Sequence, residues 1–388
     1  MTAVSEQVGK WLAEFTRQPE AEPWLHQLRE AGFRRFSELG FPTTHDEEWR
    51  FTNVAPIART AFGFRPAKPV LNLPGGVKQL SPDPARLALP SNQNAFAALN
   101  TAFLGEITVI EVPAGAIVEQ PIEIVYQVPA SAEAVAVHPR TLILIGNHAQ
   151  CAIIETFQGE GVYFTDAVTE IVAGQGAVVD HYKVQQESPQ AYHIAGMQTT
   201  LGRDANFSTH SISLGGALVR NDSGAVLSEG TEATLNGLYL VTGTQHIDNH
   251  TVIDHAKPHG TSHELYKGIL DGSAHAVFNG RIIVRKDAQK TDSKQTNKNL
   301  VLSDDAVIDT KPELQILADD VRCTHGATIG QLDAESLFYL QSRGIGKKEA
   351  RSMLTYAFAQ DILDRIKIAP LKESLEKALF EKFHEYAQ

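Results

Sequence analysis

The sequence predicts a mainly β chain, a stack of parallel β-coils with helical regions before and after it, on three observations. Between about residues 105 and 330 short runs of apolar and β-branched residues recur, at 107–112, 122–125, 142–145, 153–154, 167–172, 178–184 and 282–284, with no helical period between them. The turns that separate them share a form: turn residues, a small residue, then another apolar run, as in GNHAQCAII, GQGAVV, GRDANF, GTEATL, GSAHAVF and SDDAVI. The small residues Ala149, Gly176, Ala205, Ala233, Ala274 and Ala306 follow one another at intervals of 27, 29, 28, 41 and 32. A loose period without helices suits stacked coils of a parallel β-helix, in which alternate inward residues are buried by the neighbouring coil. The unequal intervals keep a β-sandwich or jelly roll as the competing arrangement. The 41-residue interval is read as holding an insertion, and the histidines gather there.

The flanks read as helical. In the N-terminal region, 1–104, Trp11, Leu12 and Phe15 fall at helical spacing, and Pro23 opens a second segment with Trp24, Leu25 and Leu28 on one side. GFPTTHDEEWRFTN (40–53) is a turn followed by an acidic start and an aromatic run. Prolines at 66, 69, 74, 82, 84 and 90 predict an extended, irregular connection, because proline lacks a donor and disfavours helix just before itself. A short helix over 94–104 closes this region, and the β core spans 105–330. In the C-terminal region, 331–388, Asp333 is a candidate cap for a helix through Leu337 and Leu340, and Gly344 stands where a left-handed residue ends it. A longer helix follows through Ala350, Met353, Leu354, Ala357 and Phe358 to Ile362. After Pro370, the residues Leu371, Leu375, Ala378, Leu379 and Phe383 mark a last one. Such helices can cap the open end of the β region or present a groove to a partner.

Composition excludes several classes. The chain has 388 residues, 34 Lys and Arg against 46 Asp and Glu, and a net charge of −12. The negative balance argues against nucleic acid as a partner. Cys151 and Cys323 allow at most one disulfide, so this is no disulfide scaffold. Two thiols also cannot supply the four ligands that an iron–sulfur cluster or structural zinc usually takes. The first fifteen residues have no basic segment followed by an apolar run, and no stretch approaches the roughly 20 apolar residues of a membrane span. A soluble, cytoplasmic protein with no membrane association is expected.

Three constellations bear on chemistry. In RCTHGATIG (322–330) Cys323 and His325 stand two apart, so on a strand they share a face. Thiolate and imidazole are both good ligands for iron or zinc, yet two ligands are half a site and a second chain would have to complete it. From spacing alone the plainer reading is a small core cysteine and a satisfied edge histidine. A catalytic Cys–His pair lacks any identifiable orienting residue. The second constellation is His246, His250, His255, His259, His263 and His275. HIDNH would place His246, Asp248 and His250 on one face of a strand, but a solvated turn region or subunit interface is the plainer reading. Third, RGIGKKEARSML (343–354) resembles half a helix-hairpin-helix; a turn between two helices explains its glycines equally well. No GxxxxGK[ST] occurs, so the chain is expected to bind no nucleotide and to hydrolyse no ATP. A carbohydrate-active β-helix enzyme is the competing class, with Asp248, Asp254 and Asp271 as its candidate acids.

GFPTTHDEEWRFTN, the run AQKTDSKQTNKNLVLSDDAVIDTKPELQILADDVRCTHGATIGQLD and LFYLQSRGIGKKEARSML together resemble the SufB/SufD family of iron–sulfur cluster assembly scaffolds. The resemblance covers about 40–359, and 288–350 is its most specific part. It implies a right-handed parallel β-helix between helical regions and no catalytic residues. Length, and the lack of any cysteine before Cys151, point to the SufD type. The resemblance further implies pairing with a SufB-type subunit through the β-helix, and a SufC-type ATPase docked on the C-terminal helices. For that docking Leu337, Tyr339, Arg343, Met353, Tyr356 and Phe358 are the candidates. A homodimer is compatible with the isolated chain. A nascent iron–sulfur cluster, transient and shared with the SufB-type partner, would take His325 and Cys323 as ligands. The family's C-S-H-G motif maps onto Cys323 to Gly326, with Thr324 replacing the usual Ser. Removal of 331–388 is expected to abolish ATPase docking and leave the β-helix folded.

Overall fold

A computed structural model describes residues 9, 11, 13–16, 21–83 and 94–386, with side chains described to residue 382. Leu12, Pro84, Pro90 and the Phe383 side chain, which the sequence reading used, lie outside the described residues. The core is a parallel β-solenoid of about seven coils over 122–330. Each coil gives one strand to each of two sheets. The first sheet contains, in order of pairing, Thr108–Val112, Arg140–Ile145, Tyr163–Ala173, Tyr192–Leu201, Leu218–Leu227, His246–His255, His275–Val284 and Val307–Ile316. The second contains Ile122–Val128, Gln150–Gly159, Val178–Gln186, Asn206–Ser213, Glu232–Val241, Thr261–Leu270, Asp292–Val301 and Arg322–Gly330. The stacked coils predicted from the turn spacing are therefore present, and the sandwich is not.

One corner explains the turn pattern. His148, Gly176, Asp204, Gly230, His259 and Lys290 have positive φ between 55° and 68°. After His148, Gly176 and Asp204 comes a buried alanine, at 149, 177 and 205, and after Gly230 and Lys290 a buried threonine, at 231 and 291. The left-handed residue turns the chain between sheets, and the small residue fits the tight inner angle. The supposed insertion does not exist. Ala149, Gly176, Ala205 and Ala233 mark second-sheet strands, whereas Ala274 and Ala306 precede first-sheet strands. The long interval is a change of corner, since Glu232 pairs beside Thr261 and His246 beside His275 without any break.

The interior is apolar near the corners and polar along the middle of the coils. Ile153, Val179, Phe207 and Leu235 fill the first zone. In the second, Gln295 Nε2 donates to Glu264 Oε2 at 2.7 Å, Tyr239 to Asn299 Oδ1 at 2.6 Å and Asn299 Nδ2 to Asn297 Oδ1 at 2.6 Å. This polar centre is why DSKQTNKNLV (Asp292–Val301) shows no strand signal despite being one.

Helices cover both outer faces. Pro23–Leu39 (α1), Ala55–Arg59 (α2) and Ala95–Ala102 (α3) lie with Trp11, Phe41 and Trp49 over Phe164, Ile194 and Leu218 of the first sheet. Asn94 caps α3, its Oδ1 accepting from the Ala97 amide at 2.7 Å. Beyond the solenoid come Ala334–Ser342 (α4), Lys347–Leu363 (α5) and Ala369–Tyr386 (α6). Asp333 caps α4 through the Ser336 amide at 2.8 Å, and Gly344 follows at φ 87°. Helices α5 and α6 do not close the end of the solenoid. Ile362, Leu363, Leu375 and Leu379 seat instead on Tyr182, Ile212, Leu238 and Ile269, the outward apolar residues of the second sheet. Lys267 fixes α5 there, donating to the Phe358 carbonyl at 2.8 Å and pairing with Asp361 at 3.0 Å. Removal of 331–388 would thus uncover apolar sheet surface. No described helix is long and apolar enough to cross a membrane.

Short antiparallel strands, Val70–Asn72 and Lys78–Leu80, cover the first coils. At the other end, Val307–Ile316 and Arg322–Gly330 each pair with one neighbour only among the described residues, leaving two free edges.

Gly32 of α1 meets α3 backbone to backbone: a Cβ there would lie 2.6 Å from the Ala102 amide nitrogen and 2.9 Å from the Ala98 carbonyl oxygen. Gly32→Ala should therefore force the two helices apart and lower stability by about 1–3 kcal/mol, measured by chemical denaturation.

Candidate functional site

Cys323 and His325 lie on Arg322–Gly330, the last strand of the second sheet. They stand opposite Ser293 and Gln295, which point into the solenoid, so alternation gives both the inward face at its open end. Cys323 is half-buried against the cluster of Ile282, Val284 and Ala318, while His325 is exposed. Burial, then the Asp292 carboxylate, push the Cys323 thiol above its ordinary range. It is a weak ligand until a cation beside it offsets both effects. Among the described residues no group of three or more His, Cys, Asp and Glu is placed to hold a metal ion. The strand thus places a thiol and an imidazole on one face beside a free edge.

The C-terminal candidates divide. Tyr339 (56% exposed), Arg343 and Met353 (51%) face solvent, with the Arg343 guanidinium 5.3 Å from the Tyr339 ring centroid. Leu337, Tyr356 and Phe358 are half-buried. Tyr356 and Phe358 pack against the apolar cluster that α5 and α6 form with the second sheet, and Lys267 holds its ammonium 4.4 Å from the Phe358 ring centroid. Phe338, at 73% the most exposed of the large apolar residues described, was missed by sequence reasoning. A weak helical stripe gives no sign of which face is covered. The glycines of RGIGKKEARSML end α4 and begin α5, where the Gly346 amide donates to Glu349 Oε2 at 3.3 Å.

The six clustered histidines do not converge. His246, His250 and His275 lie on the outer face of the first sheet; His255 points inward, 2.9 Å from the Ser262 hydroxyl; His259 is a corner residue; His263 is exposed on the second sheet. The region is strand rather than the solvated turn expected. His246, Asp248 and His250 do share a face, and it receives the N-terminal motif. The Thr52 hydroxyl donates to Asp248 Oδ2 at 2.6 Å and lies 2.8 Å from His246 Nε2. His250 lies 2.9 Å from Asp248 and 3.4 Å from Glu48. Of the three acids weighed for a carbohydrate enzyme, Asp248 is buried in this network and Asp254 is taken by Arg285 at 2.6 Å.

Cys151 is buried, its thiol pushed up to about 12 by burial and then by Asp180. Iodoacetamide at pH 8 should therefore alkylate Cys323 on the order of a hundredfold faster than Cys151 in the folded chain, and both alike in denaturant, followed by peptide mass spectrometry. Comparable rates in the folded state would refute this placement.

Residues 128–358 match the family described as SUF system FeS cluster assembly, SufBD core domain. The iron–sulfur cluster assembly protein SufD of Escherichia coli is 31% identical over 92% of this chain and 91% of its own length. An iron–sulfur cluster assembly SufBD family protein of Synechocystis is 37% identical over 73% of this chain, which spans 65% of that longer relative. The iron–sulfur cluster assembly protein SufB of Bacillus subtilis is 26% identical over 76% of the chain and 63% of its own length. A parallel β-solenoid whose last strand carries a cysteine and a histidine, and whose core matches this family over more than half the sequence, belongs to the SufBD family of SUF-system iron–sulfur cluster assembly proteins.

Proposed function

We propose that this chain is a SufD-type scaffold subunit that gives half of an assembly site, with His325 as ligand and Cys323 as a supporting or transient one. The observation that carries this reading is the pair itself: two donors on one face of a strand whose outer edge is free. The nascent cluster is the cargo, and a SufB-type subunit pairing at this end of the β-helix would supply the remaining donors. Alone, the chain offers the same edges to a second copy. The reading assigns no reaction to this chain, in keeping with the family's role as scaffolds.

A SufC-type ATPase would dock on the C-terminal helices, where Phe338, Tyr339 and Met353 are exposed. Only residues 331–333 separate the His325 strand from α4, so a displacement of α4 is felt at the strand. Helix α5 is bonded to the second sheet by Lys267 and by Arg351, which donates to the Leu302 carbonyl at 3.0 Å. Nucleotide-driven closure of two ATPase subunits would bias a two-state interface at the open end, closed over the ligands or open to iron and sulfide.

In a complex reconstituted with SufB-type and SufC-type chains, His325→Ala should cut cluster formation about tenfold or more by absorbance while the complex still assembles. An unchanged yield would remove His325 from the site. Tyr339→Asp combined with Met353→Asp should abolish ATPase capture in a pull-down and leave SufB-type pairing intact; retained capture moves the dock elsewhere.

A further inference from the structure

We propose that Glu47 and Glu48 form an electrostatic clasp over the last strands of the first sheet, with Glu47, Glu48 and His250 as positioning residues for the open end of the solenoid. The clasp is independent of which residues hold a cluster. It joins the two features with no part in the proposed site, the N-terminal HDEEWRFT motif and the histidine-bearing strand.

The short 3₁₀ helix Glu47–Trp49 bonds to four successive strands of one sheet. Arg220, on Leu218–Leu227, donates to the Glu48 carbonyl oxygen at 2.6 Å and lies 3.7 Å from the Trp49 ring centroid. His250, on His246–His255, reaches Glu48 Oε2. Arg281, on His275–Val284, reaches Glu48 Oε1 at 3.1 Å. Lys311, on Val307–Ile316, reaches Glu47 at 3.1 Å. Among the described residues that last strand pairs with a neighbour on one side only, and the clasp attaches it from its outer face.

The motif has a fixed half and a movable half. Trp49 and Thr52 are buried, the first in the aromatic cluster under the N-terminal helices, the second on Asp248. Glu47 and Glu48 are exposed, and beside them is a cavity of about 280 Å³ lined by Phe51, Asp248, His250, Val277 and Asn279. Charge rather than buried apolar area holds this half, so it can open while Trp49 stays in place.

His250 is faced by Asp248 on its own strand, by Arg220 and Asp222 on the preceding strand, by Asn279 and Arg281 on the following one, and by Glu48 from the clasp. Burial pulls its pKa down, but Asp248 and Glu48 outweigh burial and raise it to about 9. The imidazolium contribution is complete below the ordinary value near 6.5 and is lost as pH rises through 9. Glu48 is held at about 2, chiefly by its hydrogen bond to His250, so its contribution is present above about 4.5 and lost only in strong acid.

Hydrogen exchange of the full-length chain, read by mass spectrometry, tests the clasp. Glu47→Gln with Glu48→Gln should speed exchange in Val307–Ile316 about tenfold and leave Tyr192–Leu201 unchanged. Lys311→Met should reproduce part of that effect from the opposite side. The difference between wild type and His250→Gln, corrected for intrinsic rates, should shrink as pH rises from 6.5 to 9.5. Protection of Val307–Ile316 within twofold of wild type in the double variant would overturn the proposal. So would loss of protection spread evenly over the whole solenoid. Cluster formation enters none of these readouts, so failure of the ligand assignment and failure of the clasp are separable.

Discussion

A parallel strand in a solenoid completes its hydrogen bonds only through the coil before it and the coil after it, so the register between coils governs the rest of this molecule. Here register is set at the corners by the left-handed residues and the small buried residues that follow them. A slip of one residue would turn Ile153, Val179 and Phe207 outward and bring Tyr182, Ile212 and Leu238 inward. Both sets are in use, the first filling the interior and the second seating α5 and α6. The same alternation sends Cys323 and His325 to one face at the end of the stack.

The polar interior enforces that register in a second way. Lys183 is buried 2.9 Å from His193, between the charges of Glu155 and Glu187, and burial lowers its pKa to about 8 against their pull. His193 in turn lies 2.8 Å from Glu187. Desolvating these groups is costly, and a displaced coil would leave charges buried without partners. The network penalises every register but one, although an apolar interior could be as stable.

The ends of the solenoid are treated differently. Antiparallel strands cover the first coils, whereas among the described residues the last two strands keep free edges; the charged N-terminal motif holds Val307–Ile316 from the side, and α5 and α6 seat on earlier strands of the second sheet. Side attachment leaves the edges open to a partner and still limits their motion. Long-range ion pairs such as Glu47 with Lys311 do this with little buried apolar area.

Sequence alone determined the stacked parallel coils, the helical flanks, the cap at Asp333, and the pairing of Cys323 and His325 on one strand face. Each rests on local chemistry: corner conformation, alternation along a strand, a capping side chain. It did not reveal the strand at Asp292–Val301, whose inward Gln295, Asn297 and Asn299 bond to Glu264, Tyr266 and Tyr239, a coil or more away. Nor did it show that 232 to 275 continues without insertion, because the small-residue marker passes from one corner to the other there. Which helical residues are exposed, and what His246 and His250 face, were decided by tertiary structure. Those answers depend on which distant segment covers a given face, α5 over the second sheet and the Glu47–Thr52 motif over His246–His255, and no local pattern encodes the identity of that neighbour.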